Sequence, residues 1–156
     1  MSQKNKFQTD LASGQAAEKL VAERLSREWG GLSVEFNNTK SHDFEIKFAG
    51  GSTKRIEVKE DRAAEKYGNS YLEIACSGKP SGLTTTQADL VAIYMPHISQ
   101  IFLFKPAAML KYFDTDIGSR HRVVGGGDDK RATGVLVPID VLKQLKFVEI
   151  IPFIAK

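Results

Sequence analysis

An α/β fold with a mixed sheet flanked by helices is what the sequence predicts, on three observations. Apolar residues recur at helical spacing over residues 9–29. Short stretches with a period of two follow, and strand-like and helix-like segments then alternate towards the C-terminus. The length, 156 residues with 42% apolar and 26% charged, suits a single domain, 1–156, with its own core. The single Cys76 excludes an internal disulfide framework and reads as a small core residue in a reducing compartment. One cysteine and three scattered histidines exclude a zinc site of the usual kind. The polar start, Met-Ser-Gln-Lys-Asn-Lys, does not read as a secretion signal, and the longest apolar runs, such as 90–95, are strand-sized. The expectation is a cytoplasmic protein without a membrane partner. A net charge of +3 permits a nucleic-acid partner without arguing for one.

The elements follow in order. Residues 9–29 form the first helix, with Thr9 or Asp10 as N-cap and Gly30-Gly31 as the stop. Strands are expected at 32–36, 43–48 and 54–59, the last two joined through the turn Ala49-Gly50-Gly51-Ser52 into a hairpin. Residues 71–75 alternate as a further strand, 77–83 are a Gly/Pro/Ser loop, and 84–88 a short helix. Two buried strands, 90–94 and 100–104, precede a helix from Pro106 to about Phe113. Residues 125–129 read as a flexible loop, 134–137 as a strand and 138–145 as a helix.

One residue of the first helix is out of place. At about 100° per residue, Glu18 falls among Leu11, Ala22, Leu25 and Trp29 on the core-facing stripe, while Lys19, Glu23, Arg24 and Glu28 point elsewhere. A carboxylate there is paired, holds a cation or loses its charge, unless the stripe is shifted and Glu18 sits at its edge. On the strands, Phe44, Ile46, Ile56 and Val58 take one face, and Asp43, Glu45, Glu57 and Lys59 the other. Pairing the two strands brings Asp43 near Glu57, with Lys59 a step beyond. Two crowded carboxylates call for a cation, and hard oxygen donors with open positions suit Mg²⁺. An ammonium beside them orients water or opposes charge on a phosphoryl group. The bland alternative is a solvated strand face with alternating charge.

Glu18 on the helix, Asp43 opening a strand, and Ile56 leading into Glu57-Val58-Lys59 resemble the PD-(D/E)XK nuclease superfamily, most closely its Holliday-junction-resolvase-like and phage-encoded members. The resemblance covers about residues 11–104. It implies a restriction-endonuclease-like αβββαβ core at about 9–113, with 114–156 as a C-terminal extension packed on it. It also implies magnesium-dependent hydrolysis of DNA phosphodiesters, with Mn²⁺ able to substitute, in branched or otherwise structured DNA. Asp43, Glu57 and the Val58 carbonyl would hold the metal, with Glu18 as an outer or second-metal ligand. Lys59 would position the attacking water. The setting implied is a bacterial or phage-infected cytoplasm, and resolvase-type relatives suggest a homodimer. His42 stands where that family often has a proline. The runner-up is a catalytically inactive DNA-binding or assembly module of the same fold; all the acidic positions and the lysine being present argues against it.

The stretches 68–74 and 77–82 also look like those of phage-type relatives. Glu73 there is either an additional acid or a strand-surface glutamate. Lys79, Ser81 and Thr84–Thr86 sit where a loop enters the expected helix, which suits either phosphate contacts or an ordinary cap. Gly78-Lys79 has no upstream glycine at phosphate-loop spacing and meets Pro80, so it is no nucleotide loop.

Overall fold

A computed structural model describes residues 3–37, 41–126 and 131–153, residues 3–13 by their backbone alone. Helix α1 (Gln3–Trp29) opens the chain. It starts at Gln3 rather than Thr9, so Thr9 and Asp10 lie inside the helix rather than at its first position; no glycine or proline upstream stops it earlier. Gly30, at φ +67°, ends it as expected.

Strands β1 (Ser33–Phe36), β2 (Phe44–Lys47) and β3 (Thr53–Glu60) pair antiparallel in sequence. The β2–β3 turn closes through the Phe48 N–H donating to the Ser52 carbonyl at 2.9 Å. Strand β6 (Leu90–Met95) lies parallel to β3, and β7 (Gln100–Phe104) returns antiparallel beside it. Strand β10 (Glu149–Pro152) completes a mixed six-stranded sheet in the order β1-β2-β3-β6-β7-β10. Alternation gives this sheet two apolar faces. Phe44, Ile46, Ile56, Ala92 and Leu103 pack on Val21, Ala22 and Leu25 of α1. On the opposite face Val91, Ile93, Phe102 and Phe104 meet Met109 of α3 (Pro106–Phe113) and Leu142 of α4 (Ile139–Gln144).

A second sheet, which the sequence reading did not separate from the first, has four strands. It comprises β4 (Asn69–Cys76), β5 (Lys79–Pro80), β8 (Val123–Gly126) and β9 (Ala132–Pro138). Its Leu72, Val135 and Val137 join the core under β6 and β7. The result is one α/β domain with helices on both faces of the mixed sheet. The chain beyond Phe113 is woven into both sheets, through β9 beside β4 and β10 beside β7.

Several local expectations change. A five-residue helix, α2 (Ala63–Tyr67), follows β3. Residues 84–88 form no helix; a single 3₁₀ turn covers Gly82–Thr84. The threonines there spend their hydroxyls locally: Thr84 Oγ1 donates towards the Ile74 and Ser81 carbonyls, at 2.8 and 2.7 Å, which competes with helix formation. Gly125 and Gly126 belong to β8 rather than a loop, and 127–129 lie outside the described residues. Cys76 is exposed, not a core residue. Among the described residues no helix is long and apolar enough to cross a membrane.

Candidate functional site

The site starts where β2 begins. The Asp43 N–H donates to the Ile56 carbonyl at 2.9 Å, and its Oδ2 accepts the Val58 N–H at 2.6 Å. The hairpin register thus seats an acid against the backbone of β3, between Ile56, buried under α1, and Lys59. Burial pushes the Asp43 carboxyl up from the ordinary range, while the Val58 N–H and His42 draw it back. Glu57 is also pushed up by burial, opposed by a hydrogen bond from Thr86 and reinforced by the charges of Asp43 and Glu73. Glu18 is raised by burial and then by Asp43. The three acids predicted from the sequence are therefore within electrostatic reach in a chain, with Asp43 in the middle.

Glu18 is half-buried at the edge of the α1 stripe rather than at its centre. The stripe is rotated from expectation. Arg24, expected outside, is 5% exposed, with Nε donating to the Pro152 carbonyl and Nη1 to Glu28, both at 2.8 Å. That pair ties α1 to β10 and turns Ala17 and Val21 inward.

Lys59 projects from the same face as Glu57, towards the second sheet. Its Nζ is covered by protein, 3.6 Å from Asp61 Oδ2 and 5.3 Å from the centre of the Tyr71 ring. At 3.6 Å the contact with Asp61 is an ion pair without a hydrogen bond. Burial lowers the Lys59 pKa, and Asp61 and Glu73 hold it up. Asp61 is buried and doubly anchored: Oδ1 accepts the Ala64 N–H at 3.0 Å, and Oδ2 accepts the Ser70 hydroxyl at 2.8 Å.

Two clefts flank this lysine. One, about 310 Å³, is lined by Glu57, Lys59, Tyr71, Glu73, Leu83 and Val91 among others. The other, about 520 Å³, opens on Gly14, Lys59, Asp61, Arg62 and Tyr71. Lys59 and Tyr71 form the partition. Glu57, Val58, Lys59 and Glu73 thus share one cleft, while Asp43 and Glu18 stand beside it and do not line it. Glu73 is more than a strand-surface residue: it accepts the Ser81 hydroxyl at 2.9 Å and acts on both Glu57 and Lys59. Ser81 therefore reaches the site through Glu73. Lys79 is exposed on β5, and Ser81 precedes the 3₁₀ turn Gly82–Thr84 where a longer helix was expected. Asp61 and Tyr71 escape sequence reasoning, and Thr86, which the sequence offered for phosphate contacts or a cap, bonds Glu57. Asp61 looks like one more acid in Glu57-Val58-Lys59-Glu60-Asp61, and nothing local marks it as the buried one.

Whether these residues suit Mg²⁺ is decided by the donors. Among the described residues, no three acidic, histidine or cysteine side chains converge on one ion. Mg²⁺ needs fewer, because it keeps several waters and takes one or two carboxylates. Asp43 and Glu57, each raised by burial and Glu57 also by Asp43, are such a pair. The Val58 backbone faces Asp43, as its N–H shows. An ion on two carboxylates would take Asp43 and Glu57, with Glu18 as an outer group.

No family model matches the chain, and no curated protein matches it. A solved structure titled "The structure of a bacterial homing endonuclease: I-Ssp6803I" is 18% identical, over 70% of this chain and 81% of that one, with a TM-score of 0.48. At that level the likeness carries no argument, and the functional reading rests on this chain's own residues.

Proposed function

We propose that the chain is a metal-dependent DNA endonuclease of the PD-(D/E)XK kind, acting on branched or otherwise structured DNA. One observation carries the reading: the open end of a single hairpin seats Asp43 on the Val58 N–H and within electrostatic reach of Glu57, both half-buried, with Lys59 next to Glu57 on the same strand face and Glu18 within reach of Asp43 from α1. A solvated strand face would leave those groups in water. Buried, mutually repelling carboxylates beside a covered ammonium cost stability that a structural role does not return.

Asp43, Glu57 and the Val58 carbonyl would hold Mg²⁺ or Mn²⁺, which when bound supplies charge neutralisation and a more acidic water. The remaining work falls to the chain. The Val58 N–H holds Asp43 in one orientation, and Thr86 does the same for Glu57. Lys59, covered beside Glu57, opposes the negative charge that grows on the phosphoryl group as water attacks phosphorus and one P–O ester bond breaks. Glu73 helps keep Lys59 protonated.

The test is incubation with four-way junction, flap, duplex and single-stranded DNA, with and without Mg²⁺ or Mn²⁺, alongside mobility shifts at two salt concentrations. Cleavage that needs the metal is the expected result. Salt-sensitive binding without cleavage would establish the inactive DNA-binding module instead. Neither binding nor cleavage would return the charged face to a solvated surface.

A further inference from the structure

We propose that Asp61 and Tyr71 are positioning residues that clamp the Lys59 ammonium between the two sheets. The inference rests on the nuclease reading for what the clamp is for, but not for its existence. Three observations carry it. Lys59 Nζ is fully covered and has no hydrogen-bond partner among the described residues, so it is placed by charge and packing rather than by a directed bond. Asp61 stands 3.6 Å away on one side, its own carboxylate fixed by the Ala64 N–H and the Ser70 hydroxyl, at 3.0 and 2.8 Å. Tyr71 presents its ring on another, 5.3 Å from Nζ, within the range of a cation–π contact.

The ring is itself held. A Cβ on Gly134 would stand 2.3 Å from the Tyr71 ring, and one on Gly126 2.6 Å from it. Both glycines lie on the strands β9 and β8, so the ring rests on bare backbone where any side chain would lift it. Asp61 is anchored through α2 and β4, Tyr71 through β8 and β9. The lysine is thus fixed by Asp61, which follows its own strand and donates its N–H to the Tyr94 carbonyl of β6 at 2.8 Å, and by Tyr71 of the second sheet, and neither anchor needs to touch a substrate.

The experiment compares the full-length wild type with Asp61→Asn, Asp61→Glu, Tyr71→Leu and Lys59→Arg. Each is ¹⁵N-labelled, and the lysine ammonium signals are recorded, since only an immobilised, water-shielded –NH₃⁺ exchanges slowly enough to be seen. One such signal should vanish in Lys59→Arg and be lost or broadened in Asp61→Asn and Tyr71→Leu, with backbone amide spectra showing each fold intact. Its persistence in both clamp variants, or its absence from the wild type, overturns the proposal whether or not the protein cuts DNA. A clamp variant that does not fold is replaced by Asp61→Glu, which keeps the charge but moves it, and should broaden the signal less than Asp61→Asn. On DNA, Asp61→Asn and Tyr71→Leu should lower kcat about 10-fold with KM unchanged, and Asp61→Glu should recover part of it. Equal kcat in wild type and clamp variants, with Lys59→Arg impaired, sinks the positioning role while leaving the nuclease reading standing. A wild type that cuts nothing sinks the nuclease reading and leaves the clamp to the ammonium signals.

Discussion

The two sheets place their groups by different means. In the six-stranded sheet, Asp43 and Val58 are 15 residues apart and joined by a direct hydrogen bond, so the hairpin register alone sets the acid. In the four-stranded sheet, the Tyr71 ring lies against Gly126 and Gly134, far along the chain, and is held by packing and by the Lys59 ammonium rather than by a directed bond among the described residues. A hairpin that forms locally brings its acids together at once. The lysine's surroundings wait for β4, β8 and β9 to assemble. The difference predicts that the first sheet can lose function without losing its fold, and the second loses fold first.

The largest effects test that separation directly. Asp43→Ala and Lys59→Ala should each reduce cleavage by about 10³-fold or more, while junction binding in a mobility shift survives. Asp43→Ala also strands the Val58 N–H, a modest stability cost of about 1 kcal/mol. Wild-type cleavage rates in both would make the hairpin a solvated face. In the second sheet the order reverses. Gly134→Ala would drive a methyl into the Tyr71 ring and within 2.9 Å of the Leu72 carbonyl oxygen. It should cost about 2 kcal/mol, a fall in Tm of about 4–8 °C by calorimetry. An unchanged Tm would mean that the ring is free to move aside, and the contrast between the sheets would fail.

What the sequence made legible follows the same line. The β2–β3 hairpin could be read because alternation and a Gly-Gly turn are local signals, and Glu57 and Lys59 came with it; β6 and β7 could be read as short buried apolar runs, but not that β6 lies parallel to β3. Glu18 was found on the right helix but on a stripe rotated by the buried Arg24, whose partner, the Pro152 carbonyl, lies 128 residues away. Periodicity cannot register a charged side chain satisfied by a distant carbonyl. Gly125 and Gly126 read as a loop for the same reason: as bare backbone under an aromatic ring they serve a strand, and only the fold says which ring. Asp61 had no signal at all, since only its partners, the Ala64 N–H and the Ser70 hydroxyl against the exposed Arg62 of Glu60, separate it from its neighbour.

A smaller effect comes from pH. Asp43 has its folded pKa raised, so the folded state binds its proton more tightly than the unfolded chain does. Metal-free stability from this group therefore falls as pH rises through the carboxylate range, from about pH 4 upward. Asp43→Asn can still accept the Val58 N–H through its amide oxygen and carries no charge. It should match the wild type near pH 4 and exceed its Tm near neutrality, in buffer containing a chelator. Addition of Mg²⁺ should narrow the gap by stabilising the wild type alone. A gap that widens on acidification would mean that Asp43 is held by favourable charge, and that no cation is called for.

The smallest effect concerns one oxygen. The Tyr71 hydroxyl is covered and has no hydrogen-bond partner among the described residues, and burial raises its pKa. Leaving a hydroxyl dry costs about 1 kcal/mol, so Tyr71→Phe should raise Tm by about 2–4 °C, an uncommon sign for a core-facing substitution. The ring face over Lys59 stays, so kcat should fall less than in Tyr71→Leu. A lower Tm in Tyr71→Phe would mean that the hydroxyl has a partner in solution, and a water bridging it to Glu73 would be the first to seek, because the Glu73 charge acts on that hydroxyl. In that case the second sheet would place its group by a directed bond after all, as the first sheet does with Asp43.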